Sequence, residues 1–279
     1  ENRYNIDLHK TFTLNMQEFY VVFLQFSLNV QGFNYNPDPS LLHLQNLLKL
    51  KQEEIAPFHI TLGEEFFRDA VLKTIKNGRY SNDDHTRLET LAHALKLPLE
   101  SAAQISLELR QEYVHKHMAS IFKHKRLSAE GKHTLMVLEK NMAVEILKDD
   151  AIQKQLQTFE YYWRIENEPL PKVLPEIPLT KSEICHCRIK NVFWYEDRSV
   201  GRGRYESKLI ERGILHLTNK QLIFTGSEKT SKIRLEKIIK ITRQQQGIQI
   251  LKTAGKNPIL DLGKDSEVFS IIIGRLLVK

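Results

Sequence analysis

The chain changes its hydrophobic period once. Up to about Tyr162, apolar residues recur at the three- and four-residue spacing of helices; beyond a run of prolines they alternate with polar ones, as strands do. The helical part repeats itself. Leu41, Leu44, Leu48 and Leu50 match Leu88, Leu91, Leu95 and Leu97 at an interval of 47 residues, and the same step again reaches Leu135, Leu138 and Met142. The polar stretches ahead of them agree too. "KNGRYSNDD" from Lys76 and "KHKRLSAEG" from Lys123 share Lys, Arg and Ser in register, and "QGFNYNPDP" from Gln31 aligns after a one-residue slip. An apolar helix precedes each, over 19–28, 66–75 and 113–122. The pattern predicts helix, short turn and helix, occurring three times.

In the later part, "EICHCRIKNVF" places Cys185, Cys187 and Ile189 on one face and His186, Arg188 and Lys190 on the other. "GILHLTNKQLIFTG" (213–226) reads as two strands turning at Asn219-Lys220, with Leu215, Leu217, Leu222 and Phe224 inward. "SKIRLEKI" and "GIQIL" alternate in the same way, and a turn at 254–257 leads to Leu260 and Leu262. Six or seven short antiparallel strands are predicted. The last segment returns to helix: Phe269, Ile272, Ile273, Leu276 and Leu277 form one stripe, with Asp265 or Ser266 placed to cap it. Pro169, Pro171, Pro175 and Pro178 cannot continue a helix or join a sheet interior, so 166–181 reads as an extended linker. The expectation is an α+β chain of two domains. An all-α helical-hairpin repeat array occupies 1–165, and an antiparallel β-barrel capped by a C-terminal helix occupies 182–279.

The helical repeat and its turns resemble the TerB-like domains named for tellurite-resistance proteins, over roughly Leu14 to Tyr162. In that family the turn acids are thought to hold a divalent metal. Here the Asp position is Asn77 or His124 and the Glu position is Asp84 or Gly131, so the resemblance carries the fold and not the metal. It also implies a bacterial stress or phage-defence setting. "GILHLTNKQLIF" followed by "IRLEKIIKI", with the closing helix, is similar to bacterial pleckstrin-homology (PH)-like and GRAM-type domains over about Lys181 to Lys279. That resemblance implies a seven-stranded barrel plugged at one end by the helix.

Charge separates the same two parts. From Pro169 onward 21 Lys and Arg face 11 Asp and Glu, whereas the preceding residues hold 20 against 23, so an anionic partner is expected on the second domain. The longest apolar run, Phe19 to Leu28, is about half of what spans a bilayer. Glu1-Asn2-Arg3-Tyr4 shows no basic stretch followed by an apolar one, so no secretory signal is visible. The two cysteines, Cys185 and Cys187, lie one residue apart and read as core residues in a reducing cytosol. With His186 between them they do not form a zinc spacing.

No glycine-flanked nucleophile elbow and no phosphate loop ending in Gly-Lys-Ser/Thr is present, and the paired carboxylates fall in turns or on solvated helix faces. The chain is therefore expected not to be an enzyme and to need no cofactor. His117 and His124, seven apart on one helix face, are weak metal candidates beside Lys116, Lys123 and Lys125. "YEDRSVGRGRYESK" (195–208) is the sharper candidate. In PH domains the hairpin between the first two strands often embraces an anionic headgroup, and here Lys190, Arg198, Arg202, Arg204 and Lys208 fall in the matching region. The arginines lie mostly in the loop, and Glu196, Asp197 and Glu206 dilute them. Phe193, Trp194, Tyr195 and Tyr205 nearby keep nucleic acid open as a partner. The expected function is a non-enzymatic adaptor that binds a protein partner through both domains. A peripheral sensor of anionic lipid headgroups at the inner face of the membrane is the alternative, and a nucleic-acid-binding accessory protein the second.

Overall fold

The computed structural model describes residues 8–37, 39–201, 204–244 and 247–278. The chain is α+β, with eight α-helices and one seven-stranded antiparallel sheet among the described residues. It divides into two compact units, one comprising 1–124 and 130–153, the other 125–129 and 154–279. One of the boundaries, between Gln153 and Lys154, falls inside a helix.

The first unit contains α1 (Leu8–Gln31), α2 (Pro39–Leu47), α3 (Gln52–Ile75), α4 (Asn82–Ala94), α5 (Leu99–His124) and α6 (Ala129–Met142). The 47-residue interval is written in the backbone as well as in the leucines. Lys49, Lys96 and Ala143, one just past each of α2, α4 and α6, all have φ near +50° to +60°. In each case the next amide reaches back five residues: Leu50 N to Gln45 O, Leu97 N to Ala92 O, Val144 N to Glu139 O. This is the Schellman close, which satisfies carbonyls orphaned at a helix end. It also drives Leu50, Leu97 and Val144 into the interior. Leu41, Leu88 and Leu135 are buried at the same interval. α4 starts from a capping box, Ser81 Oγ accepting from Asp84 N at 3.2 Å while Asp84 accepts from Ser81 N at 2.9 Å.

The second unit carries most of α7 (Asp150–Asn167), then β1 (Cys185–Gly201), β2 (Arg204–Thr218), β3 (Gln221–Thr225), β4 (Thr230–Arg234), β5 (Ile238–Gln244), β6 (Gly247–Lys252), β7 (Pro258–Asp261) and α8 (Ser266–Leu277). Strand order is β4-β3-β2-β1-β7-β6-β5. The expected barrel is not closed. β4 and β5 are the two ends of the sheet, joined by a one-turn 3-10 helix over Leu235–Lys237 and not by a ladder. The inward row predicted for the hairpin is buried, and so are Cys185, Cys187, Ile233, Ile248, Ile250, Leu260 and Leu262. α8 lays Phe269, Ile272 and Ile273 on this core, with Leu276 and Leu277 partly covered. Asp265 stands at the N-cap of α8, but its side chain makes no capping bond. Burial pushes the Cys187 thiol up to about 12, with Cys185 adding, so neither free cysteine is placed to react.

Helix α7 is held to α8 inside this unit. Arg275 donates to the carbonyls of Ile165 and Glu168, capping the end of α7. Glu267 on α8 takes Arg126 at 3.1 Å and also Arg243 of β5, while Arg126 reaches Glu166 at 2.6 Å.

Candidate interaction surface on the sheet

The predicted anion loop is strand. β1 and β2 pair from Cys185↔Thr218 out to Gly201↔Arg204, so Arg198 and Arg204 sit in a ladder. The hairpin reading of this stretch as a loop is corrected accordingly: no proline interrupts the pairing of β1 with β2. Gly201, at φ 95°, supplies the left-handed conformation that ends β1. Arg202 lies outside the described residues. Among the described residues, β1 past Glu196 has only β2 beside it, and the arm extends beyond the β3 and β7 pairings.

The register decides what the cations face. Arg198 is opposite Glu206, and Lys208 is opposite Glu196. Glu196 also draws Arg198 at 4.0 Å and Lys256 at 3.6 Å. Lys190 is not part of this group. It lies eight residues back along β1, roughly 25 Å at strand rise, where it and Arg188 contact Glu176 at 3.3 and 2.8 Å. Lys190 therefore stands apart from Arg198, Arg204 and Lys208. Of the aromatics, Trp194 is buried against Phe224, Phe193 lies under Arg212, and Tyr205 is exposed.

The proline tract, predicted as a linker, is laid along the outer face of the sheet as a strap. Val173 N donates to Cys185 O at 2.8 Å, and His186 Nδ1 lies 2.8 Å from Pro171 O. Hydrogen bonding to Lys190, with Arg188 assisting, holds the Glu176 carboxyl below its usual range. Beneath the strap His216 of β2 is 1% exposed, and neither of its ring nitrogens has a hydrogen-bond partner among the described residues. Burial pushes its pKa down, Arg188 adding and Glu176 opposing.

His117 and His124 do not converge. His117 Nδ1 is 2.9 Å from Tyr113 O and its ring stacks on Tyr113, while His124 lies about 10 Å further along α5. Among the described residues no three His, Cys, Asp or Glu side chains are grouped to hold a metal ion.

An exposed sheet edge was expected as a docking surface, but the sequence did not say which strand forms it. Among the described residues β4 has β3 on one side and no strand on the other. Its pairing with β3 is unbroken over all five residues, whereas β5 carries a bulge between Ile238 and Lys240 that re-aims its edge. Thr230, Lys232 and Arg234 are exposed on one face of β4 while Ile233 enters the core. The stretch 228–244 holds Lys229, Lys232, Arg234, Lys237, Lys240 and Arg243 against Glu228 and Glu236. The alternation of Lys232 and Arg234 was visible in the sequence; that their strand ends the sheet was not.

No family model matches the chain. No curated protein matches it. Among solved structures it is similar to the "Vps36 N-terminal PH domain", at 17% identity over 36% of this chain and 83% of that one, with a TM-score of 0.28. It is also similar to the C-terminal domain of an unknown protein from Leishmania infantum, at 14% identity over 32% and 84%, with a TM-score of 0.23. No helix among the described residues is long and apolar enough to cross a membrane.

Proposed function

We propose that the chain is a non-enzymatic adaptor whose second unit, a PH-type module, docks an acidic, extended segment of a partner protein along β4. What supports the module is its own construction: seven antiparallel strands followed by one C-terminal helix on the core. The observation that carries the docking is an edge strand of regular register with two cations on one face. An exposed edge offers N–H and C=O groups to an added strand, and side-chain pairs across the new ladder give specificity. Lys232 and Arg234 are two residues apart, so they meet acids at alternate positions of the incoming segment. The same charges repel a second copy of β4, which removes edge-to-edge self-association. Arg198 and Lys208 of the hairpin face acids of their own sheet and are less suited to a phosphate headgroup. The helical unit offers a separate surface, which makes an adaptor of the chain.

Fluorescence anisotropy with a labelled peptide alternating Glu and Val tests this. Binding that weakens with salt and is abolished by K232E/R234E is expected. Vesicles containing phosphatidylserine supply the competing outcome. Flotation that survives K232E/R234E and is lost in R198A/R204A would move the function to the hairpin and to lipid.

A further inference from the structure

α1 is apolar on two sides. Its inner face buries Tyr20, Leu24 and Leu28 in the first unit. Its outer face shows Phe19 at 58%, Val22 at 62%, Phe26 at 62% and Val30 at 67% exposure. These fall three or four residues apart and so lie in one row along the helix, the spacing of a helix-pairing seam. Phe12, 46% exposed, stands seven residues before Phe19, at the bend where α1 departs from helical backbone. Charge is missing as well. From Thr11 to Tyr35 the one charged residue is Glu18, in a chain that is 27% charged. A surface helix normally carries its charges on the face away from the core, and a helix apolar all round belongs in an interior.

We infer that this seam pairs with the same seam of a second copy of the chain. Three observations select that occupant. A row without charge has no complement to offer an acidic or basic partner but is complementary to itself, as a two-fold contact requires. Large rings at Phe19 and Phe26 alternate with smaller side chains at Asn15, Val22 and Asn29, which gives one helix gaps for the rings of the other. The area is of the right order. At about 200 Å² for a whole aromatic side chain, the four residues present roughly 400 Å², within the size at which patches mark interaction sites. Phe12 and the half-buried Met16 and Phe23 enlarge the face. Together they approach but do not reach the ~800 Å² that each partner gives to a standard interface, which fits a weak, reversible dimer. This contact is independent of the sheet edge: loss of one leaves the other standing.

Sedimentation velocity of the full chain from about 1 to 100 µM reads it directly. The mass should rise with concentration toward twice the 32.6 kDa of one chain. F19K/F26K alters exposed positions only, and should stay monomeric throughout with unchanged circular dichroism. A wild-type chain that remains monomeric at the highest concentration overturns the inference, including the case in which it carries a different protein on that face. A double variant that still dimerises overturns it too. Should the variant fold poorly, a bismaleimide cross-link decides. V22C should give a covalent dimer where L72C does not, and equal yields from the two sites would contradict the seam.

Discussion

Replacing His216 with leucine is the sharpest test of how the strap lies on the sheet. The ring is 1% exposed and both nitrogens lack a partner among the described residues. An imidazole held so forfeits its hydrogen bonds to water, at about 1–3 kcal/mol for a buried unsatisfied group. Leucine fills a similar volume without that penalty, so H216L should unfold later by about 1–2 kcal/mol above pH 7.5. The pH dependence gives a second reading. With its folded pKa below the ordinary 6.5, the folded state resists a proton that the unfolded state accepts. Stability from neutral His216 is therefore complete above 6.5 and lost as pH falls from there toward the folded value, at up to about 1.4 kcal/mol per pH unit. Arg188 across the ladder and Glu176 on the strap are the charges that face it. His59 in the first unit shifts in the same direction, so the measurement is the difference between wild type and variant. Urea unfolding followed by tryptophan fluorescence suits it, because both tryptophans, Trp163 and Trp194, belong to the second unit. A variant less stable than wild type by more than about 1 kcal/mol, or one with an unchanged slope between pH 7.5 and 5, would refute the buried, neutral, unpartnered ring.

Further outcomes follow from the same packing. Phe269→Ala empties a fully buried site between α8 and the sheet and should cost about 3–5 kcal/mol in the same urea assay; a cost near zero would mean that α8 does not seal the core. Ser81→Ala removes the cap of α4 and should cost about 1 kcal/mol by circular dichroism. It should also return the Asp84 carboxyl, now lowered chiefly by its bonds to Ser81, toward its ordinary range. Burial alone would raise the pKa of Glu183, but hydrogen bonds from Thr218, Gln221 and Thr180 outweigh it and the net shift is downward. Its contribution is therefore present above the ordinary 4.5 and lost as pH falls below it, so Glu183→Gln should flatten the acid limb of the stability profile.

Much of this architecture was legible in the residues, for identifiable reasons. Leu41, Leu88 and Leu135 repeat because each helix pair must bury the same face, and the backbone at Lys49, Lys96 and Ala143 closes each pair alike. The inward row Leu215, Leu217, Leu222 and Phe224 is read from a period of two, and the stripe from Phe269 to Leu277 from a period of 3.6. Relations between elements were not legible. A period of two says which face is inward but not whether β4 meets β5, so the open sheet was invisible. Four prolines forbid helix and sheet interior, yet an extended segment can still lie on a sheet face through Val173 and through carbonyls such as Pro171. Composition placed Lys190 with the hairpin arginines, and only the length of β1 separates them. Nor was it legible that Arg198 and Lys208 face Glu206 and Glu196, because pairing, and not sequence distance, sets cross-strand neighbours. The outer face of α1 reads as one more apolar helix until its exposure is known.

Hydrogen exchange of the full chain with and without the alternating Glu-Val peptide addresses the docking edge most directly. The account predicts slowed exchange over Thr230–Arg234, abolished in K232E/R234E, with the hairpin arm unchanged. Slowing confined to the arm from Asp197 to Lys208, or no slowing at β4 under saturating peptide, would contradict it.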